Sequence, residues 1–198
     1  MPNTTNTPLP RQVADSYVEA FTRLDPIAGT YLGVAECGPE LPDFSPAGQR
    51  ALAGLARTTL QELTEAEARP GADAEAERRC ARLLRERLTA GLAVHDAGEH
   101  LRTVSNIHSP LHSVREVFTI MPAETEDDWS VIAQRLRAVP AALDGYRASL
   151  AEGMGRGLPG GPRQVTTVLG QLEQWIGTDG GWFAEFTAAG PKELQEEL

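Results

Sequence analysis

The strongest constraint on how this chain can fold is one unbroken apolar pattern. Trp129, Ile132, Leu136, Val139, Leu143, Tyr146 and Leu150 alternate by three and four positions. This is the spacing of an α-helix with a single apolar seam, sustained over about three heptads. A strand cannot use it, because successive residues of a strand point to opposite faces. The seam predicts one long helix over about 125–153, with a parallel or antiparallel neighbour packed along Trp129–Leu150. Thr125, with Asp128 three positions later, resembles a capping box in which Asp replaces the usual Glu. Pro140 lies inside the seam and has no N–H to give the carbonyl of Leu136, which predicts a kink.

The same period recurs along the chain. Val13, Tyr17, Ala20, Phe21 and Leu24 give one buried face to a helix from Pro10 to Leu24, and a short helix can cover Pro26–Leu32. Ser45-Pro46 is an N-cap followed by a first-turn proline. It opens a helix to about Ala68, with Leu52, Leu55, Leu60 and Leu63 inward. Arg69-Pro70-Gly71 ends it, and Asp73 is placed to cap the next helix, which runs to about Arg102. The stripe of that helix is Cys80, Leu83, Leu84, Leu88, Leu92, His95 and Leu101. Ser109-Pro110 repeats the cap-plus-proline device for a short helix carrying Leu111, Val114, Val117, Phe118 and Met121, stopped by Pro122. Val165, Val168, Leu169, Leu172 and Ile176 form another helical face. After the break at Gly180-Gly181, Trp182, Phe183 and Phe186 open the final region. From Pro191 the run PKELQEEL reads as a helix without a stop signal, whose packing partner is expected in further chain.

No alternating β-branched run reads as a strand. The expected fold is therefore all-α: a multi-helix antiparallel bundle-like array with one long, proline-kinked helix. Residues 1–8 are expected to be a disordered lead. Residues 9–198 are expected to form a single helical domain, the N-terminal part of a larger protein.

Bulk properties exclude some partners. The net charge of −10 argues against binding a nucleic-acid backbone or an anionic membrane surface. No apolar stretch approaches the roughly 20 residues of a membrane span, and the first residues lack the basic and apolar regions of a secretory signal. Cys37 and Cys80 are the only cysteines and have no zinc-ribbon or CxxC spacing. They read as two reduced thiols, and the chain as cytoplasmic.

Candidate chemistry is sparse. His95, His100, His108 and His112 fall within 18 residues. Pro110 separates His108 from the helix that carries His112, and Ser109 stands where the HExxH motif needs its glutamate. His95 and His100, five apart, would sit about 140° apart on a helix. These histidines therefore read as core or surface imidazoles, with His95 the one expected to be partly buried. The arginines 78, 79, 82, 85 and 87 are interleaved with glutamates and read as a solvated face, with Glu75–Arg79 and Arg82–Glu86 as (i, i+4) pairs. The glycine-rich run 153–163 reads as an inter-helix turn, since no strand precedes it and its spacing is neither GxGxxG nor a P-loop. There is no GxSxG elbow around any serine. Glu116, Asp127 and Asp128 could be paired only by the tertiary fold, and GTDGGWFAEF lacks EF-hand spacing. The residues thus assign no catalytic, cofactor-binding or metal site, and no cofactor.

Three ordered segments carry a family resemblance: LDPIAGTYLGV (24–34) with LPDFSP (41–46), RTVSNIHSPLHSVREVFTIMP (102–122), and DWSVIAQRLRAVPAALDGYRASLAEG (128–153). Together they resemble the N-terminal part of the bacterial domain-of-unknown-function family 885. The resemblance implies a mostly helical, zincin-type metallopeptidase. Members are usually longer than this chain, with zinc held by an HExxH-like run far downstream. No position here matches that motif, so no catalytic or metal residue is carried over, and zinc is implied for the full-length family only. What the resemblance implies for these residues is a helical scaffold and one wall of a peptide-substrate cleft, formed by the SNIHSP turn and the helix after it. The remainder of a longer chain would be the partner. The alternative is a stand-alone helical interaction module that binds a partner, or its own copy, along Trp129–Leu150.

Overall fold

A computed structural model describes residues 8–34, 38–177 and 180–195. The expected lead lies almost wholly outside these residues, as do Cys37 and the last three residues of PKELQEEL. Among the described residues there are eight α-helices and no strand. They are α1 (Pro10–Leu24), α2 (Pro26–Leu32), α3 (Pro46–Glu67), α4 (Glu75–Asp96), α5 (Pro110–Ile120), α6 (Glu126–Gly155), α7 (Pro162–Ile176) and α8 (Trp182–Ala188). None is long and apolar enough to cross a membrane. The all-α array read from the sequence is the observed one.

The helices share two cores. Helices α1, α3 and α4 pack together around Val13, Leu63, Ala66 and Ala81. The second core gathers Ile27 of α2, Val114, Val117 and Phe118 of α5, and Trp129 and Ile132 of α6. Phe183 and Phe186 of α8 close over it, with Phe186 centred 5.5 Å from Trp129 and Phe183 6.2 Å from Phe118. Truncating a buried phenylalanine such as Phe118 costs about 3–5 kcal/mol, so this aromatic cluster anchors the C-terminal half.

The long helix forms as its sequence dictates. Thr125 Oγ1 accepts from the Asp128 N–H at 3.1 Å, and the Asp128 carboxylate accepts from the Thr125 N–H at 2.9 Å, so the capping box is complete. The helix continues through Pro140, whose ring lies on the exposed side. The seam does not run along one partner helix. Its N-terminal half packs on α5 and α8, and its C-terminal half meets the chain around Phe44 and the 3-10 turn Glu99–Leu101. Small residues four apart decide this. A Cβ on Gly145 would lie 3.0 Å from the Ser45 nitrogen, Ser149 Oγ donates to the Phe44 carbonyl at 2.6 Å, and a Cβ on Gly153 would strike the Leu101 carbonyl. Two segments, around residues 43–45 and at the 99–101 turn, cross α6 in this notch.

Several expectations are corrected. On α3 the buried residues are Ala53, Ala56, Thr59, Leu63 and Ala66; Leu52, Leu55 and Leu60 lie beside that stripe, half-buried. Asp73 does not cap α4: Ala74 is the N-cap, with no side-chain bond. Helix α4 ends at Asp96 rather than near Arg102, because Gly98 takes a left-handed φ of +76° and turns the chain into Glu99–Leu101. Leu83 points to solvent. Helix α6 continues past Gly153 to Gly155 before the glycine-rich turn begins. On α7 the inward residues are Val168 and Trp175, while Val165, Leu169 and Ile176 are exposed. After Pro191 the described chain makes one 3-10 turn, Lys192–Leu194, and Gln195 Nε2 donates to the carbonyls of Thr187 and Gly190, both at 3.0 Å.

Candidate functional site

The segment between α4 and α5 is built by local polar chemistry. Ser105 Oγ accepts from the N–H groups of Ile107 (3.2 Å) and His108 (3.3 Å), folding residues 105–108 into a tight turn. Helix α7 holds this turn from outside: Gln164 Oε1 accepts from the Asn106 N–H at 3.1 Å, and Gln171 Nε2 donates to the Asn106 carbonyl at 3.0 Å. The two glutamines are seven apart and so share a helix face. Tyr146 of α6 holds the preceding residues, donating its hydroxyl to the Thr103 carbonyl at 2.7 Å. Burial pushes the Tyr146 phenol up to about 12, so at neutral pH it is a fixed donor.

Thr103, His108 and Tyr146 border a cavity of about 250 Å³. One wall is the turn and the start of α5, with His108, Ser109 and Ser113; facing them are Asp25, His100 and Tyr146. Asp25 caps α2, its Oδ1 accepting from the Ala28 N–H at 2.9 Å. Burial pushes its carboxyl above the ordinary range, against the opposing effect of the backbone N–H groups of Ala28 and Ile27.

The four histidines are distributed, not gathered. His95 and His100 stack face to face, ring centroids 4.2 Å apart and planes 7° from parallel. The sequence separated them because it extended α4 through both, whereas Gly98 folds His100 back over the end of the helix. Burial, then the neighbouring His95 and Arg156, push the His100 imidazole below its usual value. His108 faces the cleft. His95 is half-buried, as expected, and His112 is the fully buried histidine, at 4% exposure. Its Nδ1 shares a 2.9 Å hydrogen bond with Ser109 Oγ, and its ring sits edge-on to Trp175 at 5.1 Å. Ser109, the predicted N-cap, therefore gives its hydroxyl to an imidazole and not to the α5 backbone. The pair resembles a nucleophile and base, yet Ser109 is 1% exposed, so no substrate carbonyl can reach it. Its role is to satisfy a buried ring nitrogen.

Among the described residues no three His, Cys, Asp or Glu side chains converge to hold a metal ion. Asp128 is occupied by its capping box, which holds its carboxyl below the usual value. The Glu75–Arg79 pair forms as expected. Arg85 of α4 bonds Glu67 of α3, and Arg57 of α3 bonds Asp96 of α4 at 2.7 Å, so two ion pairs of opposite direction tie the helices together. Cys80 is a free thiol, half-buried, with Sγ 3.8 Å from the Pro10 carbonyl.

Two features had no sequence signal. Arg135, 2% exposed, donates from Nη1 to Thr30 Oγ1 at 3.0 Å and from Nη2 to the Gly38 carbonyl at 2.6 Å, fastening α6 to the end of α2. Arg115 lies over the rings of Trp175 (4.8 Å) and Trp182 (5.4 Å), joining α5 to α7 and α8. Both arginines sit in sequence among residues that read as helix surface.

No curated protein matches the chain. The model of a family described as bacterial protein of unknown function (DUF885) matches residues 26–198, which takes in the cleft just described apart from Asp25. The chain belongs to the DUF885 family.

Proposed function

We propose that these helices form the scaffold and one wall of a substrate cleft in a zinc-metallopeptidase-like protein, and that they carry no catalytic centre of their own. The observation that supports this is the cleft itself. The 105–113 segment presents His108 and Ser113 across a cavity from Asp25 and Tyr146, on segments braced by hydrogen bonds. Polar groups fixed around a concave surface suit the recognition of peptide backbone. Zinc and its ligands would come from outside the residues described. The same reading puts the protein in the cytoplasm, in keeping with the free Cys80 thiol.

The test is hydrolysis of a peptide mixture by the protein at its full encoded length, followed by mass spectrometry with and without a chelator. Chelator-sensitive cleavage is expected, with H108A and S113A raising KM and leaving kcat near its original value. These 198 residues alone should show no zinc-dependent turnover. Absence of bound zinc and of chelator-sensitive cleavage at full length would refute the reading.

A second reading, a helical interaction module, is favoured by a different surface from the one the sequence suggested. The Trp129–Leu150 seam is used within the chain, whereas Val165, Leu169 and Ile176 leave an apolar stripe on the outer face of α7, with Ile176 69% exposed. A single sedimenting species larger than the monomer, reduced to monomer by Leu169→Glu, would support it.

A further inference from the structure

His100 and Gln49 also border a second cavity, of about 260 Å³, a half-open groove between α1, α3 and α4. It arises because facing positions are small. Ala53 and Ala56 of α3 look toward Gly91 of α4, and the third wall is the stacked pair Tyr17 and Phe21, 5.7 Å apart. Helix packing does not demand glycine at position 91, since a Cβ there would meet nothing within 4 Å. An apolar cavity of about 150 Å³ accepts benzene, so this one has room for a bicyclic ring.

The charged side chain on the border of the cavity is the Arg87 guanidinium. Its ionisable side chains besides Tyr17 are Arg87, His95 and His100, and among the described residues no carboxylate lines it. The nearest acid in sequence, Asp96, is held by Arg57 at 2.7 Å. In a chain of net charge −10, an apolar pocket rimmed only by basic groups is complementary to an anion with an apolar body.

We propose that this cavity binds a small aromatic carboxylate. The ring lies between the Tyr17–Phe21 wall and the Ala53, Ala56 and Gly91 floor, and the carboxylate lies at Arg87. The inference stands on this cavity and does not depend on peptidase activity.

Indole-3-acetate and its neutral amide, indole-3-acetamide, are the probes, titrated into the intact chain and followed by calorimetry and amide chemical shifts. The acid should bind saturably and about tenfold more tightly than the amide, the worth of one charge-assisted contact. Shifts should concentrate around residues 17, 21, 53, 56 and 91. R87Q should bring acid and amide to within about twofold of each other. G91L, which fills the cavity from a position with free space, should abolish binding of both without lowering the unfolding midpoint. No saturable binding by the unaltered chain at millimolar probe overturns the proposal. Equal affinity for acid and amide, or shifts elsewhere together with unimpaired binding by G91L, also overturns it.

Discussion

Replacing Gly153 with alanine tests the crossing that organises the centre of the molecule. Gly153 is buried in α6, and an added Cβ would stand 3.0 Å from the Leu101 carbonyl carbon and closer still to its oxygen. Both neighbours are backbone, so neither can rotate away as a side-chain tip would. Two effects compete. Alanine is favoured over glycine in a helix interior by about 1 kcal/mol. Overpacking a tight contact costs about 1–3 kcal/mol. Because the obstacle is main chain, the upper part of that range applies, and G153A should lose about 1–2 kcal/mol net. Gly91 is the control. It lies within α4, and its added Cβ meets nothing within 4 Å, so G91A should keep the helix-propensity gain of about 1 kcal/mol. Urea unfolding followed by circular dichroism, with both variants and the parent at equal concentration, reads the difference as opposite shifts in midpoint at unchanged slope. If G153A matches or exceeds G91A in stability, the close passage of the 99–101 turn across α6 is not what holds this region, and the account of the notch fails.

Three further outcomes follow from the site. Ser109→Ala leaves the buried His112 Nδ1 without its partner and should cost about 1–3 kcal/mol, part of it recovered when His112→Phe is added; a double-mutant cycle with no coupling would contradict the pairing. For Asp25 the proton is held more tightly in the folded than in the unfolded chain. Its contribution to stability is therefore full below the ordinary value of 3.8 and falls as pH rises from there through the raised folded value. Asp25→Asn, which keeps an acceptor for the Ala28 N–H, should gain on the parent across that window and hold its advantage at neutral pH; urea midpoints that diverge the other way would reverse the assignment. The Cys80 thiol is pushed up by burial first and by Glu77 and Asp15 second, so iodoacetamide at neutral pH should label it more slowly in the native than in the unfolded chain, as read by mass spectrometry of its peptide.

The class of structure is legible in residue spacing alone. Residue spacing of three and four with no alternating strands admits only helices, and cap-plus-proline pairs fixed where α3 and α5 begin, because proline at the first helical position has no N–H to lose. The capping box of α6 was likewise legible, since both partners lie within one turn. What the sequence could not determine is which partner each face meets. The seam of α6 reads as a surface for one long helix, yet Gly145, Ser149 and Gly153 admit backbone from residues 43–45 and 101, and only tertiary approach distinguishes a notch from a weak helix position. The inward face of α7 lies one step around from its apolar stripe, because Gln164 and Gln171, polar in sequence, turn inward to hold the Asn106 turn and leave Leu169 and Ile176 outside. Helical spacing puts His95 and His100 about 140° apart, and only the left-handed turn at Gly98 stacks them. Local hydrogen bonds and periodicity are properties of neighbours in the chain. The cleft is made by Asp25, His100, His108 and Tyr146, which are distant in sequence and meet only when the two cores pack.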